Sequence, residues 1–203
     1  RVVLDIETDS KHTVIWCAVL NDIDTGEVTC HTNATGLRAA LDIAEQVIGH
    51  NLVAFDKWHL QNLWGIQIPL TKCYDTLIVS RLMRPDLQGG HSLEAWGNRL
   101  NFKKSDYPTA YREKFQNDYY PSKEWNEPDM PMLIAYCKQD TRVTARLLKH
   151  LEKQLSSQKF VGECIELEHQ VAEIIAEQVR NGVLIDQKAL TTLYAEVQDE
   201  VAK

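Results

Sequence analysis

Four carboxylates and one tyrosine have the types and spacing to do chemistry. They are Asp5 and Glu7 in the opening segment, Asp56 behind Val53-Ala54-Phe55, and Asp140 one helical turn after Tyr136. The first seven residues alternate, so a strand would project Asp5 and Glu7 from one face, about 6–7 Å apart, and Val2, Leu4 and Ile6 from the other. Like charges so placed disfavour each other's ionisation unless a cation bridges them. Leu133, Tyr136, Asp140, Val143, Leu147 and Leu151 follow steps of three and four, which sets Asp140 on the apolar stripe of a helix facing the sheet. Arg142 and Arg146 point to other sides of that helix, and a buried carboxylate without a partner is costly. Divalent cations held by oxygen resolve the conflict, and carboxylate-held metal pairs are suited to phosphodiester hydrolysis. Each acid alone has a plainer explanation: solvent display on an edge strand, an ion pair for Asp140, a helix N-cap for Asp56. The four together ask for more.

The elements that must position these groups follow from pattern. Residues 1–32 predict three short strands around a turn built from Asn21, Asp22, Asp24 and Gly26, an antiparallel meander. Leu37, Leu41, Ala44 and Val47 fall at helical spacing, and 47–51 reads as a short strand. Helices are predicted over 56–63, 74–83 and 91–100. Residues 101–131 are aromatic, charged and proline-punctuated, without a period. A long helix follows over 132–154, then another over 163–180, an interruption at 181–186, and a last helical segment. Strands first, then helices alternating with a short strand, predict an α/β domain on a mixed sheet flanked by helices. We divide the chain into 1–157 and 158–203, the second part reading as the start of a further unit.

Composition sets outer bounds. The 203 residues carry a net charge of −7, which argues against coating nucleic acid by the chain's own charge. It leaves room for an enzyme that meets phosphate through bound cations. No apolar run approaches the ~20 residues of a membrane span. The five cysteines include no CxxC pair, so they predict reduced, cytoplasmic packing residues rather than a zinc site or disulfides. The chain begins without Met inside a strand and ends inside a helix, and it reads as a piece of a longer protein. His50, His59 and His91 are expected to be structural, as are Trp16, Trp58, Trp64 and Trp96.

Asp5-Ile6-Glu7-Thr8, His50-Asn51-Leu52-Val53-Ala54-Phe55-Asp56 and Tyr136-Cys137-Lys138-Gln139-Asp140 resemble, in order and spacing, the three motifs of the DEDD superfamily of 3′–5′ exonucleases, in its tyrosine variant. The resemblance implies a ribonuclease H-like fold. It also implies that Asp5, Glu7, Asp56 and Asp140 hold two magnesium ions, for which manganese could substitute, with Asp5 bridging both. Tyr136 would orient the attacking water, and Glu7 would hydrogen-bond the terminal 3′-hydroxyl. The stretches 74–82 and 91–100 resemble the proofreading domain of family A DNA polymerases, above all those of short-tailed bacteriophages, and 166–190 resembles the segment leading into the polymerase domain. A single-stranded DNA 3′ end is the implied substrate, a polymerase domain in cis the implied partner, and a bacterial host cytoplasm the implied setting. The processivity factor stays unidentified. Asn51, Lys103, Lys104, Tyr111 and Arg112 are the candidate strand-binding residues, the last four because basic and aromatic side chains interleaved can grip single strands. Two alternatives stand beside this reading: a free-standing DEDD exonuclease acting on RNA, and a catalytically silent nucleic-acid-binding module.

Overall fold

The computed structural model describes residues 1–158 and 162–202. Five strands, β1 (Val2–Thr8), β2 (Ile15–Asp22), β3 (Val28–His31), β4 (Val47–Gly49) and β5 (Cys73–Asp75), form one sheet in the order β3-β2-β1-β4-β5. The β1–β2 and β2–β3 pairs are antiparallel, while β1–β4 and β4–β5 are parallel. The mixed sheet is as expected, but β5 overlaps the first two residues of the segment predicted as helix over 74–83. Three residues are too few for a period, and the helix waits for its cap, Asp75, whose carboxylate accepts from the Leu77 amide at 2.9 Å.

The helices are α1 (Ala34–Ile43), α2 (Asp56–Trp64), α3 (Thr76–Met83), α4 (Leu93–Arg99), α5 (Tyr107–Lys114), α6 (Lys123–Asn126), α7 (Met130–Gln158), α8 (Gly162–Asn181) and α9 (Gln187–Val201). Both faces of the sheet are covered. Val2, Leu4 and Ile6 pack with Leu37 and Leu41 of α1 and Leu60 of α2. On the opposite face Val3 and Ile48 meet Leu148, and Cys17 and Val19 meet Cys137, both partners from α7. Alternation along β1 therefore aims Asp5 and Glu7 at α7.

The stripe predicted to face the sheet does so only in part. Val143, Leu147 and Leu151 pack on Val79 and Met83 of α3 and Leu93 and Trp96 of α4, and Leu133 packs on Tyr107 and Tyr111 of α5. Cys137 and Leu148 meet the sheet instead. The helix is enclosed on two sides, and a periodic stripe cannot say which neighbour it serves. Residues 101–131, expected to be irregular, contain α5 and α6, and Tyr107 and Tyr111 are buried there.

Helix α8 packs on α3. Its buried His169 accepts from the Asp75 amide through Nε2 at 2.7 Å and pairs with the Ile165 carbonyl through Nδ1 at 2.7 Å. Glu173 pairs with Lys57, and the Arg180 guanidinium lies 4.0 Å from the Trp58 ring centre. Residues 181–202, including all of α9, are exposed.

Candidate active site

The central strand carries the first two acids. In the β1–β2 register Asp5 faces Val19 and Glu7 faces Cys17, with a bulge immediately after Glu7. Ligand atoms of Asp5, Glu7 and Cys137 lie within 4.8 Å of one another. The Cys137 thiol, 3.2 Å from Asp5 Oδ2, is its hydrogen-bond donor. Burial, above all, pushes that thiol well above its usual range, and the nearby acids add to the shift, so it stays protonated and donates.

Asp56 reaches the same strand by a different route. Strand β4 pairs with β1 only at Val2 and Val3, which leaves the Ile6 amide without a parallel neighbour. The Asp56 carboxylate accepts from that amide at 3.1 Å. Asp56 is thus the first residue of α2 rather than its N-cap, a place taken by Phe55 without a side-chain hydrogen bond. The chain gets there through a tight reversal. Gly49 leaves room for Leu52, whose Cβ would lie 2.8 Å from a Cβ at position 49, and Asn51 adopts φ 71°. Asp75 clamps this loop by accepting from the Asn51 and Val53 amides at 2.9 and 3.0 Å.

Asp140 comes from α7. One oxygen, Oδ2, lies 2.5 Å from Lys104 Nζ, while Oδ1 is buried and has no hydrogen-bond partner. Tyr136 sits one turn earlier with its ring centre 4.9 Å from the same ammonium. Lys104 stems from the segment after α4, with its head on Asp140 and its charge felt by Asp5 and Glu7.

The four carboxylates strain against one another. Burial, then Asp140, raises the Asp5 carboxyl from 3.8 to about 7, with Lys104 and Cys137 opposing. Burial, then Asp5 and Asp140, pushes Glu7 well above its ordinary value. Asp56 rises for the same first reason and then because of Asp5, although its own amide and that of Ile6 pull the other way. Asp140 is raised by burial against the pull of Lys104. Asp5 is the hub, since it raises both Glu7 and Asp56 and is raised by Asp140. Burial also raises Tyr136, followed by Asp140, so its phenol keeps its proton. Beside the acids lies a cavity of about 350 Å³ whose lining includes Glu7, Ser10, His12, Phe55 and Trp125.

The strand-binding candidates scatter. Lys104 is in the acid cluster. Lys103 is exposed, and its carbonyl accepts from Gln139 at 2.9 Å. Arg112 is exposed beside Tyr119 and Glu124. Asn51 lines a separate groove with Arg81 and Arg180. Tyr111 is a correction: it is buried, its hydroxyl donates to the Glu127 carbonyl at 2.7 Å, and it offers no face to a strand. Its spacing from Tyr107 signals one helical face, which is the core face. Asp75, Cys137 and the place of Lys104 among the acids went unread. Only Asp75 left a local signal, as an acid just before an apolar helix.

No family model matches the chain. Among curated proteins it is similar to the DNA-directed DNA polymerase of Escherichia phage T7, 29% identical over 97% of this chain, and to that of Enterobacteria phage T3, 30% identical over the same share. The chain aligns with both along nearly its whole length. It spans 35% of the length of either relative, about a third. Among solved structures it is similar to Brucella melitensis NrnC (TM-score 0.60, 15% identity, 92% of this chain and 89% of that one) and to the same protein with bound Mg2+ (TM-score 0.59, 15% identity, 92% and 90%). The family B DNA polymerase of Pyrobaculum calidifontis matches 74% of this chain with 24% of its own (TM-score 0.51, 16% identity). The fold is therefore ribonuclease H-like, as the motifs implied. No helix among its described residues is long and apolar enough to cross a membrane.

Proposed function

We propose that this chain is the proofreading part of a family A DNA polymerase, a 3′–5′ exonuclease that removes the terminal nucleotide of single-stranded or frayed DNA. The observation that carries the reading is a set of buried acids short of positive charge: Lys104 pairs with Asp140 and is felt by Asp5 and Glu7, Asp56 is pushed up by Asp5, and Asp140 Oδ1 has no partner. That deficit fits divalent cations. The donors are carboxylate oxygens and the neighbouring Cys137 is held as a thiol, which favours magnesium or manganese over zinc.

Asp5, Glu7, Asp56 and Asp140 would hold two such ions. Bound there, they supply a water acidic enough to attack and a stabilised leaving oxygen. The protein residues do the rest. Tyr136 keeps its proton and orients the water by hydrogen bonding. Glu7, at the edge of the 350 Å³ cavity, engages the terminal 3′-hydroxyl, and Phe55, His12 and Trp125 wall the space for the last nucleoside. Residues 158–203 lead toward a polymerase domain in cis, in keeping with the share of the phage polymerases that the chain spans.

A magnesium-dependent assay on DNA and RNA strands labelled at either end tests this. Loss of single nucleotides from DNA 3′ ends is expected, abolished in Asp5→Ala/Glu7→Ala. Wild-type activity in the double variant would refute the site, and strong preference for RNA would refute the proofreading role.

A further inference from the structure

Lys104 does something that a strand-gripping surface lysine would not. Its Nζ lies 2.5 Å from Asp140 Oδ2 and 4.9 Å from the Tyr136 ring centre, and its side chain is only 21% exposed. The backbone delivers it there by design of the preceding residues. Phe102 N donates to the Gly97 carbonyl at 2.9 Å, and a Cβ at position 97 would stand 3.0 Å from Phe102 O and 3.4 Å from Lys104 N, so only glycine lets the segment lie this close on α4. The Arg146 guanidinium covers Phe102 at 4.6 Å, and Gln139 Nε2 donates to the Lys103 carbonyl at 2.9 Å. The stem is anchored on both sides, while the four-carbon side chain beyond it can rotate. Asp5, Glu7 and Asp140 all feel the Lys104 charge as their opposing cation. Beyond the acids, only Tyr136 lies against the ammonium among the described residues.

We infer that Lys104 is a resident counter-cation: it occupies Asp140 in the metal-free protein, holds that carboxylate and Tyr136 in place, and yields the carboxylate when a divalent ion arrives. The inference rests on the metal-binding reading above. A divalent ion taking the open Oδ1 would lie close to an ammonium on Oδ2 of the same carboxylate, and the two cations repel at that range. Whatever the ion gains at Asp140 is reduced by the pairing it must displace, and by linkage the reduction is reciprocal. Lys104 is thus a positioning residue. It keeps a repulsive site folded while empty, at some expense in metal affinity.

Two measurements on the full chain test this. In the first, magnesium binding is titrated calorimetrically in wild type and Lys104→Met, with melting followed in EDTA. The variant should melt lower in EDTA yet bind magnesium about tenfold more tightly. Unchanged or weaker binding would overturn the exchange. The second needs no variant: the rate at which an amine-reactive acetylating reagent modifies Lys104 in wild type, read by peptide mass spectrometry, should rise several-fold at saturating magnesium. A rate that stays constant or falls would overturn the inference as well. If wild type binds magnesium and Asp140→Ala does not, while both lysine readouts stay flat, only this inference fails. If wild type binds no magnesium, the metal-binding reading fails with it.

Discussion

Asp75 and Asp140 are both aspartates with almost no solvent exposure, at 1% and 3%, and the protein treats them in opposite ways. Asp75 accepts from three backbone amides, those of Asn51, Val53 and Leu77, and both its oxygens are satisfied. It caps α3 and clamps the loop that leads to Asp56. Asp140 has one lysine on one oxygen and nothing on the other. Asp9 resembles Asp75 in its donors: its carboxylate gathers the Thr13 and Val14 amides and the Thr13 hydroxyl. Burial opposes ionisation in both; the donors bring the Asp9 carboxyl below the ordinary range, while at Asp75 they offset burial only in part and its carboxyl stays raised. Burial alone therefore does not mark a functional acid. A buried carboxylate whose donors are complete is architecture, and one left short of donors beside three others is a place for a cation.

The sharpest way to break this contrast is to neutralise one acid of each kind. Asp5→Asn removes a charge that the fold resists, so without metal the variant should melt above wild type while its nuclease activity falls by about 10³-fold or more. Asp75→Asn puts an amide group where backbone donors point, and it should lower stability by about 1–3 kcal/mol. Shifts of the same sign would end the distinction.

The difference should also depend on pH, with a defined direction. In the folded chain Asp5 holds its proton up to about 7, whereas the unfolded chain releases it near 3.8. The native state thus binds more protons between these values, and its stability falls as pH rises through the window. In EDTA, the advantage of Asp5→Asn over wild type should be absent at the acid end of that window, grow toward neutrality and level off above it. Denaturant melts at stepped pH would read it.

Tyr136→Phe probes the chemistry of the cluster without touching a carboxylate. Cleavage should slow by about 10²-fold because the water loses its orientation, with magnesium affinity unchanged by calorimetry. Loss of metal affinity would contradict the assigned role. The smallest effect belongs to the exposed rim. Lys103→Ala should weaken single-strand binding by a few-fold and reduce the salt dependence by about one counter-ion; an unchanged salt slope would remove Lys103 from the strand path.

Much of the site could be read before any fold was known. Two-residue alternation put Asp5 and Glu7 on one face, and helical spacing put Tyr136 one turn from Asp140. These are properties of a few consecutive residues, and they survive any tertiary arrangement. Helix α7 shows where that reasoning stops, because its stripe marked burial correctly but not the neighbour. Strand β5 and helices α5 and α6 escaped for a related reason, since elements this short are defined by what they pair with or pack on.

What the amino-acid order determined by itself was the local geometry of each motif and the family pattern the motifs make together. Tertiary structure alone decided how they meet. Asp56 reaches β1 because β4 stops pairing at Val3 and leaves the Ile6 amide open. Lys104 enters the acids because Gly97 lets its backbone lie against α4. Neither contact has a period or a spacing in the chain, because each depends on where two distant segments run out of other partners.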